Sequence, residues 1–281
     1  MFQVSPSPAD WPSLLIDAVN TPGVISDAYQ KFWRFSTGNQ LLAWLQCLQR
    51  GLEMGPLNTF CGWRECGRWP KKGEKALTLC MPVTVKRRTA TDPHSEPVVD
   101  NPPAVGDEAE RPRTSITLFV FKPHWFVLCQ TDGAEYVPTS VPTWDEATAL
   151  HTLLIDRIPF THPDGNCQGF AVDRQVAVSP LAFLPHRTLF HELAHVVLGH
   201  TQELRRLDDS EETTPRCLRE VEAEGVALIC GESLGLPGIE FSRGYLQHWL
   251  GTGTIPEKSA QKIFKAADQI LKAGHPHPSE E

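Results

Sequence analysis

The apolar pattern of the first half predicts helices followed by strands. DAYQKFWRFSTGNQLLAWLQCLQRGL predicts one or two helices that stop at Gly51. Their apolar face carries Leu41, Leu42, Trp44, Leu45 and Leu48. The run Ala76 to Val85 predicts a strand, and SITLFVFKPHWFVLCQTDG predicts a strand pair. Residues 89–114 are rich in proline and acid and poor in large apolar groups, so we expect an exposed, mobile insertion there.

The second half alternates helices with a strand. TWDEATALHTLLIDRI predicts a helix whose N-cap is Thr143, with Glu146 completing a capping box. Phe170 to Val178 predicts one strand. Three more helices are predicted: one that holds HELAH between Pro185 and Gly199, one opened by Thr214 and Pro215, and one from Ser259 to Ala273.

Composition places the chain among globular proteins. Apolar residues make up 41% and charged residues 21% of the chain. Its 281 residues are enough for two domains. Because the first residues lack a basic and an apolar region, we expect no signal peptide, and no apolar run approaches the length of a membrane span. The eight cysteines then indicate reduced thiols in the cytoplasm. Cys61 and Cys66 lack a second pair at zinc-ribbon spacing.

The net charge of −8 is unevenly distributed. From Lys31 to Arg88 the chain has 11 Lys and Arg against 3 Glu, which is +8, so the remainder carries −16. Such asymmetry is typical of a module that binds a polyanion joined to a different one.

The helix TLFHELAHVVLGH carries the strongest chemical motif. His191 and His195 lie one helical turn apart, so both imidazoles leave one face, as two zinc ligands must. Glu192 would then act as general base on a bound water. The alternative is a chance match on a buried helix whose histidines are merely hydrogen-bonded.

REVEAEGVA on the next helix supplies candidates for the third ligand. Glu220 and Glu224 share a face and Glu222 points away, so we assign Glu220 to the metal and Glu224 to a ligand histidine's free N–H. The alternative is a solvated acidic face. His200 lies one residue short of the metzincin position, which favours a helix-end or loop histidine over a ligand. Two histidines and one carboxylate leave a position open for water, as in a catalytic zinc site.

Aromatic and basic residues interleave in the first half, a pattern typical of single-stranded nucleic-acid binding. The candidates for contact with DNA are Trp33, Arg34, Asn39, Trp63, Arg64, Arg68, Trp69, Lys71, Lys72 and Lys75. Trp44 lies on an apolar helix face and is assigned to the core. The alternative is that the other tryptophans also belong to the core and that PKKGEK is an ordinary charged turn.

Three segments together resemble the N-terminal domain of the ArdC antirestriction family, which also begins plasmid TraC-type primases. They are GNQLLAWLQCLQRG, TFCGWRECGRWPKKGEKA and LFVFKPHWFVLCQTDG. The matching positions are Gly38, Asn39, Lys72, Gly73, Glu74, Lys75, Gln130, Thr131 and Gly133. The second half resembles the metallopeptidase domain of ArdC proteins and the ImmA/IrrE type of gluzincin. ArdC chains usually follow HELAH with W-T-G-H, where this chain has VVLGH.

The resemblance implies an α+β protein of two domains. Residues 1–135 would form a domain that binds single-stranded DNA without sequence preference, and residues 136–281 a zincin-like domain that holds Zn²⁺ or another divalent metal such as Mn²⁺. Such proteins are carried on conjugative plasmids and help entering DNA evade host restriction. A second hypothesis is an intracellular zinc peptidase that cleaves a regulatory or restriction protein, with DNA as cofactor or not involved. Neither hypothesis includes a membrane partner.

Overall fold

The computed structural model describes residues 10–86, 115–162, 165–203, 214–251 and 253–276, and they form an α+β fold. The helices are α1 (Trp11–Asn20), α2 (Val24–Phe32), α3 (Thr37–Arg50), α4 (Phe60–Glu65), α5 (Glu146–Leu153), α6 (Pro185–Val197), α7 (His200–Glu203), α8 (Arg216–Ser233), α9 (Ile239–Leu250) and α10 (Glu257–Ala273). The strands are β1 (Leu57–Thr59), β2 (Arg68–Pro70), β3 (Leu77–Lys86), β4 (Ser115–Val127), β5 (Thr131–Gly133), β6 (Asp156–Arg157), β7 (Gly169–Val172) and β8 (Gln175–Val178). The predicted insertion at 89–114 lies outside the described residues.

The helices predicted in the first half are confirmed as α2 and α3. Gly51 ends α3 in the left-handed conformation, where glycine carries no Cβ penalty. Trp44 is half-buried and packs against the core, whereas Leu48 is 52% exposed.

The first sheet has the order β1-β4-β3 and is antiparallel throughout. The predicted strand from Ala76 to Val85 is confirmed as β3. The predicted strand pair is wrong, because Ser115–Val127 forms one continuous strand and β5 pairs with β2 in a separate sheet. The pairing of β3 with β4 shifts register between Leu77 and Thr78, opposite Trp125 and Pro123, and such a bulge is a place where a strand tolerates proline.

A third sheet, after β1-β4-β3 and the pair β2-β5, has the order β6-β8-β7. The single strand predicted over 170–178 is wrong: it is an antiparallel hairpin, and Asp173 at its turn has φ 52°. The predicted cap of α5 is also wrong, since the Asp145 carboxylate, not Thr143, accepts from the Thr148 N–H at 2.7 Å. The cap was misplaced because Thr143 and Asp145, two residues apart, are both residue types that favour the N-cap.

The helices of the second half surround α8, which packs against α6, α9 and α10. The predicted helices are confirmed as α6, α8 and α10, while α9 was not predicted. Helix α2 also packs on α8, and both α1 and α3 pack on α10. One buried cluster therefore runs through both halves, and the predicted boundary after residue 135 stays a prediction. Among the described helices, none is long and apolar enough to cross a membrane.

Gly38 allows α1 and α3 to approach closely. A Cβ at this position would lie 2.5 Å from Cζ3 of Trp11. Gly38→Ala is therefore expected to lower the free energy of unfolding by about 1–3 kcal/mol, although alanine is the better helix former. Urea denaturation measures the change.

Gly244→Ala is the matched control, because a Cβ there meets nothing within 4 Å on α9. This variant should be as stable as the parent or more stable by up to about 1 kcal/mol. Equal effects of the two substitutions would contradict the packing role of Gly38.

Candidate functional site

Helix α6 places two histidine side chains close together on one face. Pro185 starts the helix, and its buried side includes Leu189, Phe190 and Leu193. On the other side, Nε2 of His191 and Nε2 of His195 lie 3.0 Å apart.

Glu220 on α8 completes a cluster of three potential ligands. Its Oε2 lies 3.4 Å from Nε2 of His191 and 3.7 Å from Nε2 of His195. Tetrahedral zinc with bonds of about 2.0–2.1 Å holds its ligand atoms about 3.3 Å apart, so these atoms are spaced as such a cation requires. The cluster borders a cavity of about 550 Å³, whose wall includes Gly169, Phe170 and Ala171 of β7. The donor set and spacing therefore fit a divalent metal.

The electrostatics of the cluster favour positive charge. Burial opposes protonation of His191, but contacts with Glu220 and Glu224 outweigh it and raise the pKa of His191 to about 9. Hydrogen bonds from His191 and His195 hold the pKa of Glu220 far below its ordinary value. A cation between these groups would satisfy the same carboxylate charge.

Glu192 lies beside the cluster on the cavity wall. Its residue is 8% exposed, and burial raises the pKa of its carboxyl. A Cβ on Gly169 would lie 2.5 Å from Cγ2 of Thr188 and 3.1 Å from Cγ of Glu192, so the glycine lets β7 pass close to α6. A buried carboxylate with a raised pKa has the properties that a general base needs near neutral pH.

Glu224 contacts the opposite ring nitrogen of His191. Its Oε1 lies 3.2 Å from Nδ1 of His191 and accepts a hydrogen bond from Nη2 of Arg187. Nε of Arg187 donates to Oγ of Ser242 at 2.8 Å. Sequence reasoning named Glu224 but missed Arg187 and Ser242, since one lies four residues before HELAH and the other on the unpredicted α9.

His200 begins α7 and lies behind the cluster. It is buried, with Nδ1 3.0 Å from Nδ1 of His195 and Nε2 2.9 Å from Oε2 of Glu222. Among the described residues, the group that could hold a metal comprises His191, His195 and Glu220, so His200 is outside it, as the sequence predicted. Glu222 does point away from Glu220, yet its buried carboxylate meets a histidine instead of solvent.

Three of the predicted DNA contacts serve the fold instead. Trp63 is 0% exposed and donates to the Phe126 carbonyl, so it cannot stack on a base. The Asn39 amide bonds both the N–H and the carbonyl of Cys80, each at 2.8 Å. Arg68 is committed to Thr131 and the Ala134 carbonyl.

Other predicted contacts remain at the surface. Trp69 is 52% exposed, and exposed basic residues nearby in sequence are Arg64, Lys71, Lys72 and Lys75. Phe60, 47% exposed and one turn before Arg64 on α4, was missed as a candidate. Helix α4 packs on β2, which carries Trp69. Trp33 is half-buried beneath Arg34, whose Cζ lies 5.3 Å from the ring centroid.

The comparison with protein families finds a match in the first half of the chain. Residues 17–121 match the family described as the N-terminal domain of anti-restriction factor ArdC. Over these residues the chain is similar to that domain. The matched residues run from within α1 into β4 and include every candidate DNA contact from Trp33 to Lys75.

Solved ArdC structures share the fold over nearly the whole chain. One is a metal-free crystal structure of the antirestriction protein ArdC from plasmid R388, 20% identical, with a TM-score of 0.53 and 94% of each chain covered. Another is the Mn(II)-bound structure of that protein, 17% identical, with a TM-score of 0.50 and coverage of 98% of this chain and 100% of the other. A search of curated proteins gives no significant match.

Proposed function

We propose that the chain is an antirestriction protein that binds single-stranded DNA without sequence preference and protects entering DNA during conjugation. The observation that supports this most is the ArdC-type domain at residues 17–121. The fold shared with an antirestriction protein from a plasmid adds support. Such a protein would act in the cytoplasm, where the incoming strand is met.

The proposed DNA surface is the aromatic-basic face, formed by Phe60, Arg64, Trp69, Lys71, Lys72 and Lys75. Phe60 and Trp69 are the exposed rings on adjacent elements, and flat rings stack on unpaired bases of any sequence. The lysines follow directly on β2 and in the turn to β3, where they can track phosphates. Trp33 and Arg34 lie in the turn that follows α2 and are secondary candidates.

Trp69→Ala is expected to weaken binding to a fluorescent oligothymidine by about 5- to 150-fold, since stacking contributes about 1–3 kcal/mol per base. Lys72→Gln with Lys75→Gln should flatten the plot of log affinity against log salt by about 1.4, about 0.7 per phosphate contact in a single strand. Fluorescence anisotropy over a salt range measures both effects.

Two controls isolate the surface. Phe241→Ala removes an aromatic ring that is 53% exposed on α9, and Lys258→Gln with Lys265→Gln removes the same charge from exposed positions of α10. Both should bind as the parent does. If the variants of the aromatic-basic face bind the oligonucleotide as tightly as these controls, the assignment of DNA binding to that face is wrong. If the parent does not bind the single strand, the DNA proposal itself is wrong.

The second part of the proposal is a divalent-metal centre held by His191, His195 and Glu220. The convergence of their ligand atoms within 4.8 Å supports it, and Zn²⁺ and Mn²⁺ are the candidates. The fold neighbour that binds Mn(II) adds support. When bound, such a cation supplies a Lewis acid that polarises a carbonyl or acidifies water.

A peptidase that cleaves a regulatory or restriction protein is the second candidate function. The position of Glu192 on the cavity wall favours it, because a carboxylate beside this cluster can accept a proton from water. Glu224 and Arg187 hold His191 from behind, which keeps its Nε2 directed at the cluster.

A further inference from the structure

A line of buried hydrogen bonds runs from the candidate metal ligand His195 into the interior. Nδ1 of His195 lies 3.0 Å from Nδ1 of His200, and Nε2 of His200 lies 2.9 Å from Oε2 of Glu222. His200 is 2% exposed and Glu222 is 0% exposed. Three side chains on α6, α7 and α8 are thus joined end to end.

The direction of each hydrogen bond follows from the metal. If Nε2 of His195 gives its lone pair to a cation, the neutral ring carries its proton on Nδ1. That proton must be donated to Nδ1 of His200, so His200 in turn carries its own proton on Nε2. His200 therefore donates to Glu222, and a carboxylate is the acceptor that this arrangement needs.

We propose that His200 and Glu222 are positioning residues that fix the tautomer and ring orientation of His195, an inference that rests on the proposed metal centre. His191 is held directly by Glu224, whereas His195 is held through a second imidazole. All three carboxylates of EVEAE then serve one site: Glu220 as ligand, Glu224 behind one histidine and Glu222 behind the other. Partners of ligand histidines raise metal affinity about 10- to 100-fold.

A purely structural role makes a different prediction. Removing His200 alone leaves a buried carboxylate without its partner and destabilises the fold whatever its effect on metal. Replacing both residues by apolar groups of similar shape removes that penalty but does not restore an acceptor for His195. The double variant His200→Phe/Glu222→Met therefore separates stability from metal affinity.

The test measures Zn²⁺ affinity by competition with a chromophoric chelator, together with the melting temperature of the metal-free protein. We expect the double variant to melt near the parent and to bind Zn²⁺ about 10- to 100-fold more weakly. His200→Asn keeps an acceptor for His195 and should bind more tightly than His200→Ala. His151→Ala, which removes an exposed histidine of α5, is the control and should leave affinity unchanged.

A double variant that binds Zn²⁺ as tightly as the parent would overturn the proposal. If the double variant does not fold, equal affinities of His200→Asn and His200→Ala would overturn it instead. A parent chain that binds neither Zn²⁺ nor Mn²⁺ would overturn the metal centre itself, and this inference with it.

Discussion

Glu192→Gln is expected to lower any peptide hydrolysis by this protein about 10²- to 10⁴-fold, the usual contribution of a general base. Glutamine has the shape of glutamate but cannot take the proton of a water molecule. Because Glu192 is outside the cluster of His191, His195 and Glu220, metal content should stay that of the parent. Turnover of a fluorogenic peptide library and metal analysis on the same preparation measure the two effects.

Glu240→Gln is the matched control, since it makes the same change at an exposed position of α9. A Glu192→Gln protein that hydrolyses peptide at the parent rate would exclude the general-base role. If it also protects conjugatively transferred DNA as well as the parent, hydrolysis is not part of antirestriction. Loss of protection with metal and DNA binding intact would favour the peptidase instead.

Arg243→Met is expected to lower the free energy of unfolding by about 3–5 kcal/mol, because it leaves a buried charge unpaired. Arg243 is 7% exposed, and its guanidinium binds Glu232, which is 2% exposed, and the carbonyls of Ala18 and Val19. The other oxygen of Glu232 accepts the Gly23 N–H at 2.6 Å. The pair thus joins α8 and α9 to the C-terminal end of α1 and to Gly23, which precedes α2.

Urea denaturation of the metal-free protein measures this effect. Lys272→Met is the control: it breaks an exposed pair with Asp268 and should change the free energy of unfolding by less than about 1 kcal/mol. Arg243→Met with Glu232→Leu should recover most of the lost stability, since both charges are then gone. Similar losses for Arg243→Met and Lys272→Met would contradict the importance of the buried pair.

The parts of the fold set by local periodicity could be predicted. Helix α6 and its HELAH residues follow from a strong 3.6-residue pattern, and Gly51 ends α3 through its own backbone freedom. The hairpin at Asp173 could not be predicted, because its turn lacks the glycine or asparagine that usually marks one. Helix α9 was missed in a segment where glycines interrupt the apolar pattern.

Side-chain contacts between elements that are far apart in the sequence could not be predicted from local patterns. Interleaved tryptophans and arginines do not reveal which side of α4 faces the sheet. The sequence therefore predicted DNA contact for both Trp63 and Trp69, although Trp63 is buried and Trp69 is exposed. The same limit applies to Arg68 and Asn39, whose polar groups are used by backbone atoms far along the chain. Spacing favoured a helix-end or loop role for His200, but its bond to Glu222 joins α7 to α8 and could not be predicted from either segment alone.

The side chain of Asn39 also bears on whether molecules of this protein associate with one another at high concentration. Strand β3 is an edge of its sheet, and open edges invite strands of other molecules. At Cys80 the side chain of Asn39 occupies both backbone groups, as a neighbouring strand would. A second amide does the same at Thr78, where Gln46 bonds the N–H and the carbonyl. Helix α3 thereby covers the edge at Thr78 and Cys80 and keeps this part of β3 from pairing with a strand of another molecule.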